Sequence, residues 1–313
     1  MVKVPEIKGD LWINSRPLGP RDLAGKVVLV DFWTYSCVNC IRTIPHLRAL
    51  WDKYKNKGFI MIGIHSPEFD FEKNPANVRQ AVRDLGIEWP VVLDPDKENW
   101  NNFANKYWPS KYLFDSEGNF TYEHHGEGSY EETERAVLRA LGEPITLEVK
   151  TEEEFAPRPF CFEPTPETYC GYLRGDIANF GGYRLDIPFS YEEPEELPLD
   201  SLALSGEFLA KAEYVESEKA GSKIILHFHA TEVNLVLAPV ENGAAKIKIK
   251  LNNRNLPKEI WGQDVKNGEV KIDSPKMYGL VKSKEGGLEG VLEISAKENN
   301  FRAYAFTFSG CVE

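Results

Sequence analysis

The sequence predicts an α/β domain followed by an all-β antiparallel sandwich of jelly-roll type, on three observations. Buried-strand runs alternate with helix-period segments up to about residue 141. A charged, Pro-rich stretch, Thr151-Glu152-Glu153-Glu154-Phe155-Ala156-Pro157-Arg158-Pro159, follows. Beyond about residue 200 the apolar residues recur with period 2 almost throughout. These place one domain at 1–148, a linker at 149–159 and a second domain at 160–313.

The elements follow in order. Residues 1–26 form a lead-in, with a hairpin expected from Asp10-Leu11-Trp12-Ile13-Asn14-Ser15 and punctuation at Pro17, Gly19 and Pro20. The run Lys26-Val27-Val28-Leu29-Val30-Asp31-Phe32-Trp33 is apolar without alternation, as in a strand covered on both faces. A helix is expected at 40–56, with Leu47, Leu50, Trp51 and Tyr54 on one stripe and Gly58 closing it. Next come a strand at 59–64, a helix at about 75–85, a strand at 89–93, a short helix at about 98–106, and strands at 111–115 and 120–123. A helix at 129–141 ends the domain. In the second half, Ile224, Leu226 and Phe228 alternate with Ile225, His227 and His229. Ile247, Ile249 and Leu251 alternate with lysines. Turn residues such as Glu241-Asn242-Gly243 separate the runs.

Charge and composition exclude several classes. Of 313 residues, 42% are hydrophobic and 27% charged, enough for a real core. A net charge of -12, with the acidic excess mostly in the second half, argues against a nucleic-acid partner, which calls for clustered Lys and Arg. No run approaches the ~18 apolar residues of a membrane span, and Met1-Val2-Lys3-Val4-Pro5 opens no signal-peptide core. The expectation is a cytosolic chain or a piece of a longer exported or membrane-attached parent.

Five cysteines are too few for a disulfide scaffold. Cys37 and Cys40 form a CxxC where the first buried strand meets a helix. Free helix N–H groups and the helix dipole there favour a thiolate on Cys37, the nucleophile. Cys40, deeper in the helix, resolves the mixed disulfide. Zinc needs four ligands, and no second CxxC or spaced Cys/His pair lies nearby, so no metal or cofactor is expected.

Val30-Asp31-Phe32-Trp33-Thr34-Tyr35-Ser36-Cys37-Val38-Asn39-Cys40 resembles the thioredoxin signature, and Pro45 matches the proline of that family's active-site helix. Trp108-Pro109 resembles its cis-proline loop. The resemblance implies that Asp31 accepts the proton of Cys40, that Trp33 shields the site, and that Trp108 and Pro109 dock the substrate. Extra strand–helix material before Trp108, with Ile64-His65-Ser66-Pro67-Glu68-Phe69, is similar to the TlpA/DipZ branch: exported, usually membrane-tethered thioredoxins fed by CcdA-type electron carriers and linked to cytochrome c biogenesis. Thr165-Pro166-Glu167-Thr168-Tyr169 and Arg302-Ala303-Tyr304-Ala305-Phe306-Thr307-Phe308 resemble the two ends of the C-terminal β-sandwich, carbohydrate-binding-module-like, of the DipZ family's extracytoplasmic part. An extracytoplasmic, periplasmic or cell-surface setting follows. Glu68 and His65 end a strand beside the CxxC and are candidates for proton tuning.

Val38-Asn39 carries no charge to stabilise a thiolate. The expected potential is therefore nearer thioredoxin's (about -270 mV) than DsbA's (about -120 mV), that of a reductant or interchange enzyme for protein disulfides. Two alternatives compete. Thr34, three residues before Cys37, matches the TxxC of peroxiredoxins, although Val30 stands where that family has proline. The sandwich could instead be a binding or scaffold module with a redox appendage. A glycan there would need aromatic platforms, with Trp261 and Tyr278 as candidates. His227 and His229 share a strand face without a third ligand and are expected to be exposed or satisfied. Cys161, Cys170 and Cys311 offer three pairings among which the sequence does not choose.

Overall fold

The computed structural model describes residues 3–145, 161–240, 243–298 and 300–311. The stretch expected as a linker, 149–159, lies outside them, as do Glu241 and Asn242. Two compact units divide the chain, Met1–Val149 and Lys150–Glu313.

The first unit holds a six-stranded sheet made of β1 (Trp12–Ile13), β2 (Val27–Trp33), β3 (Phe59–His65), β4 (Val91–Leu93), β5 (Ser110–Phe114) and β6 (Phe120–His125), in the order β1-β4-β3-β2-β5-β6. Strands β2, β3 and β4 run parallel; β5, β6 and β1 are antiparallel to their neighbours. Every residue of β2 and β3 is buried, as their unbroken apolar runs require. With side chains alternating along a strand, and after a first short helix α1 (Pro20–Leu23), Leu29, Trp33 and Met61 join a core with Cys40, Ile44 and Leu47 of α2 (Val38–Tyr54). Val28, Val30, Phe32, Ile60, Ile62 and Ile64 fill a second core on the opposite face.

The N-terminal hairpin does not form. Trp12 and Ile13, both buried, pair instead with β4, Trp12 opposite Val92. Asn14 secures the exchange by donating to the carbonyls of Ile87 (2.8 Å) and Trp89 (3.1 Å). Two adjacent apolar side chains gain more on the open edge of a buried sheet than in a two-stranded ribbon over water.

The second unit is antiparallel and all-β, a twelve-stranded sheet enclosing one core. Strand Ser201–Ala210 joins its two halves. Residues 201–205 pair with Lys223–Ala230, whereas 206–210 pair with Pro188–Tyr191 and Val215–Ser217. The change falls at Gly206, with φ +94, where a Cβ would lie 2.9 Å from Ser222 Oγ. Glycine is required there both for the left-handed backbone and for the close approach. Ile224, Leu226 and Phe228 point into the core and meet Leu235, Leu237 and Phe306.

Candidate functional site

Strand β2 leads into Thr34-Tyr35-Ser36, and Cys37 is the N-cap of α2, with extended backbone (φ -80, ψ 117). Its sulfur accepts the amide N–H of Cys40 at 3.3 Å, so a free helix donor faces the nucleophile. Cys37 is half-buried and Cys40 is 1% exposed. Burial first, then the neighbouring Cys37, pushes the Cys40 thiol well above its usual range. Cys40 thus keeps its proton until a base removes it.

Asp31 sits on the α2 face of β2, 2% exposed, between its register partners Gly63 of β3 and Lys111 of β5. Burial raises its carboxyl from 3.8 to about 6, against the opposing pull of Lys111. The two are an ion pair rather than a hydrogen-bonded one: Lys111 Nζ lies 3.9 Å from Asp31 Oδ1, and neither atom has a hydrogen-bond partner among the described residues. Lys111, 1% exposed, escaped the sequence reading. Its signal was a lysine within the apolar strand Tyr112-Leu113-Phe114, two residues after Pro109.

Trp33 is 2% exposed and belongs to the core, so it closes the floor of the site instead of shielding its mouth. Its indole meets that of Trp89 over Gly63, where a Cβ would lie 3.0 Å from Trp33 Nε1, 3.2 Å from Trp89 Nε1 and 3.3 Å from Val91 Cγ2. Gly63→Ala is therefore expected to cost about 1–3 kcal/mol by overpacking, read as a lowered thermal midpoint. An unchanged midpoint would show that the indoles can separate.

The two candidates for proton tuning differ in burial. His65 is 1% exposed, and burial depresses it to about 3, which favours the neutral imidazole. It stacks on Tyr35 (5.6 Å), meets Trp33 edge-on (5.1 Å) and lies 3.4 Å from Thr34 Oγ1, a packing role. The side chain of Glu68 is half-exposed; the buried carboxylate at this edge is Glu72, four residues on and 1% exposed. Burial raises the Glu72 carboxyl, opposed by the hydroxyls of Ser36 and Thr34. In sequence Glu72 reads as one more acid in a charged loop, with nothing to single it out.

The Trp108–Pro109 peptide is cis. It precedes β5, whose Ser110 pairs with Phe32, and so lies beside the β2 end that leads to Cys37. Trp108 is half-buried: its Nε1 donates to the Ser66 carbonyl (3.0 Å), and its ring lies 4.2 Å from that of Trp100. Pro45 lies exposed inside α2, where it withholds the amide that the Ile41 carbonyl would otherwise accept.

The second unit offers no aromatic platform at the two candidate positions. Tyr278 is 1% exposed with its hydroxyl donating to the Ser274 carbonyl, and Trp261 is half-buried with its indole N–H on the Leu256 carbonyl. Tyr278 belongs to the core and Trp261 packs against it. His227 and His229 are satisfied: Nδ1 of His227 lies 2.8 Å from the Leu197 carbonyl and Nε2 of His229 lies 2.7 Å from that of Glu163. Among the described residues no His, Cys, Asp and Glu cluster could hold a metal ion. Of the three pairings left open, Cys161–Cys311 is the disulfide, and Cys170 is a free, buried thiol.

Comparison with known proteins adds two family models. Residues 3–123 match the AhpC/TSA family, and residues 165–309 match the thioredoxin-like C-terminal domain family. Over 245 residues the chain is 37% identical to the protein DipZ of Mycobacterium tuberculosis, covering 74% of this chain and 34% of that protein. It thus spans about a third of the length of that relative. It is 26% identical over 141 residues to the thiol-disulfide oxidoreductase YkuV of Bacillus subtilis, covering 45% of this chain and 95% of YkuV. A solved structure of a DsbE-type thiol:disulfide interchange protein from Chlorobium tepidum matches with 26% identity and TM-score 0.37, over 40% of this chain and 86% of that one.

Proposed function

The chain belongs to the thioredoxin superfamily, on its TlpA/DipZ-like branch, and from that premise we propose that it reduces or interchanges disulfides of extracytoplasmic proteins through Cys37 and Cys40. The observation that carries this reading is the pairing of a half-buried Cys37 at the head of α2 with a buried, protonated Cys40 on the face that holds Asp31. The Cys37 thiolate attacks one sulfur of a substrate disulfide, forming a mixed disulfide and expelling one substrate thiolate. Asp31 takes the proton of Cys40. The Cys40 thiolate then attacks Cys37 Sγ and expels the second substrate thiolate, leaving a Cys37–Cys40 disulfide with two electrons passed to the substrate. Resetting the centre requires a dithiol donor, for which we propose the CcdA-type membrane carrier that the family resemblance implies. The Cys161–Cys311 bridge supports an oxidising compartment. Among the described residues no helix is long and apolar enough to cross a membrane.

The test is the Cys37–Cys40 reduction potential together with capture of partners by Cys40→Ser. Expected are a potential near that of thioredoxin, about -270 mV, and mixed disulfides on Cys37. A value near about -120 mV sinks the reductant assignment. The AhpC/TSA match favours a second reading, peroxide reduction at Cys37. Stopped-flow oxidation no faster than that of free thiol dismisses it.

A further inference from the structure

We propose that Glu72 is a positioning residue of the redox centre, a buried carboxylate whose two oxygens tie the segment before Cys37 to the segment after β3. The inference rests on the dithiol reading above. Glu72 lies on a short 3-10 turn (Asp70–Lys73) and is 1% exposed. Its Oε1 accepts Ser36 Oγ at 2.6 Å and Ser36 N at 3.3 Å. Its Oε2 accepts the backbone N–H of Glu68 at 2.6 Å and of Phe69 at 3.0 Å.

Four donors on one buried carboxylate is a demanding arrangement, since a buried charge persists only where hydrogen bonds replace its water. Folding alone does not explain its place. The loop after β3 could close on backbone bonds, whereas here one arm of the carboxylate leaves the loop and grips Ser36. Ser36 is itself 1% exposed and is bonded through the peptide to Cys37. What Glu72 holds is therefore the approach of the chain to the N-cap, on which the 3.3 Å contact between Cys40 N and Cys37 Sγ depends. The Cys40 N–H holds and polarises the Cys37 sulfur, so loosening the contact weakens the support given to that sulfur as it attacks.

The chemistry also dictates the variants. An amide in place of the carboxylate keeps one acceptor; with that oxygen on the Glu68 and Phe69 amides, its NH2 opposes the Ser36 N–H and leaves the Ser36 hydroxyl able only to accept, so Glu72→Gln weakens the Ser36 arm. Glu72→Asp keeps both oxygens on a shorter stem. Ser36→Ala removes the hydroxyl arm and leaves the carboxyl group in place.

The readouts are the alkylation rate of Cys37 by iodoacetamide in the folded, reduced protein at pH 7, and the Cys37–Cys40 potential. Ser36→Ala and Glu72→Gln should each slow alkylation about fivefold, the loss of one hydrogen bond. The double variant should be no slower than the slower single, because both cut the same arm, and Glu72→Asp should recover most of the rate. Alkylation at the wild-type rate in both singles, or effects that multiply, overturns the proposal even if the thermal midpoint falls. Should Glu72→Gln fail to fold, Ser36→Ala alone decides, wild-type alkylation then counting against the proposal. If the wild type itself forms no reducible Cys37–Cys40 disulfide, the dithiol reading fails instead, and the two failures are told apart.

Discussion

Replacing Asp31 with Asn slows release of substrate from the mixed disulfide about hundredfold at pH 8, the usual scale for losing a general base. Cys40 is buried and its thiol is pushed well above the ordinary range, so almost none of it is thiolate unaided. Asp31 is the buried carboxylate on the same sheet face, and at about 6 it is ionised at pH 8 yet basic enough to take a proton. In the wild type the release step should lose its base as pH falls through about 6; in Asp31→Asn that inflection disappears. Single-turnover release of a dye-labelled peptide from Cys37, followed from pH 5 to 9, measures both. A retained inflection near 6 would assign the base elsewhere.

The same shift has a stability consequence of opposite sense. A carboxyl raised in the folded state binds its proton more tightly than in the unfolded chain, so folding is favoured while Asp31 is protonated. That contribution is full below 3.8 and is lost as pH rises through about 6. At 1.36 kcal/mol for each pH unit, the rise from 3.8 to about 6 amounts to about 3 kcal/mol. Relative to Asp31→Asn, the wild type should therefore lose up to about 3 kcal/mol between pH 4 and 6 and then level off. Whatever constant penalty Asn brings by leaving Lys111 without its carboxylate does not alter that slope. Urea titrations at several pH values check it, and a flat difference between the two proteins refutes the burial argument.

How much of this could be read from residues alone depends on whether the cause was local. The strands β2 and β3 were legible because a strand covered on both faces must be apolar on both. The CxxC was legible because a helix start leaves free N–H donors at a fixed place. Asp31 stood out as a charge inside such a strand. Lys111 and Glu72 became visible only once register and loop closure brought Lys111 opposite Asp31 and the Glu72 carboxylate against Ser36. Trp12-Ile13 misled for a related reason: alternation marks a strand without naming its partner, and the partner strand lay far along the chain, Val92 opposite Trp12 and Val91 opposite Ile13. Tyr278 and Trp261 show the limit of composition, since an aromatic suited to a sugar is equally suited to a core.

Opening the Cys161–Cys311 bridge should produce the largest loss of stability in the second unit. The cysteines are separated by 150 residues in sequence. A loop of that length removes about 5 kcal/mol of unfolded-chain entropy in the chain-entropy account. The bridge joins the two ends of the unit, where the Phe162 amide donates to the Gly310 carbonyl and the Thr231 hydroxyl to that of Cys311. Cys161→Ser/Cys311→Ser is the right comparison, because a reductant would also change Cys37 and Cys40. Its urea midpoint should fall, and a midpoint equal to that of the wild type would make the bridge incidental. The stabilisation also bears on how a reductant and a disulfide coexist in one chain. At about 1.4 kcal/mol for each 30 mV, about 5 kcal/mol places the bridge roughly 110 mV below the same pair in the unfolded chain. A Cys37–Cys40 centre near about -270 mV then lacks the driving force to open it, while strained or exposed substrate disulfides remain within reach. Glutathione titrations that resolve the two pairs should therefore reduce Cys37–Cys40 first; the reverse order would mean that the bridge is a substrate of the centre and not a staple.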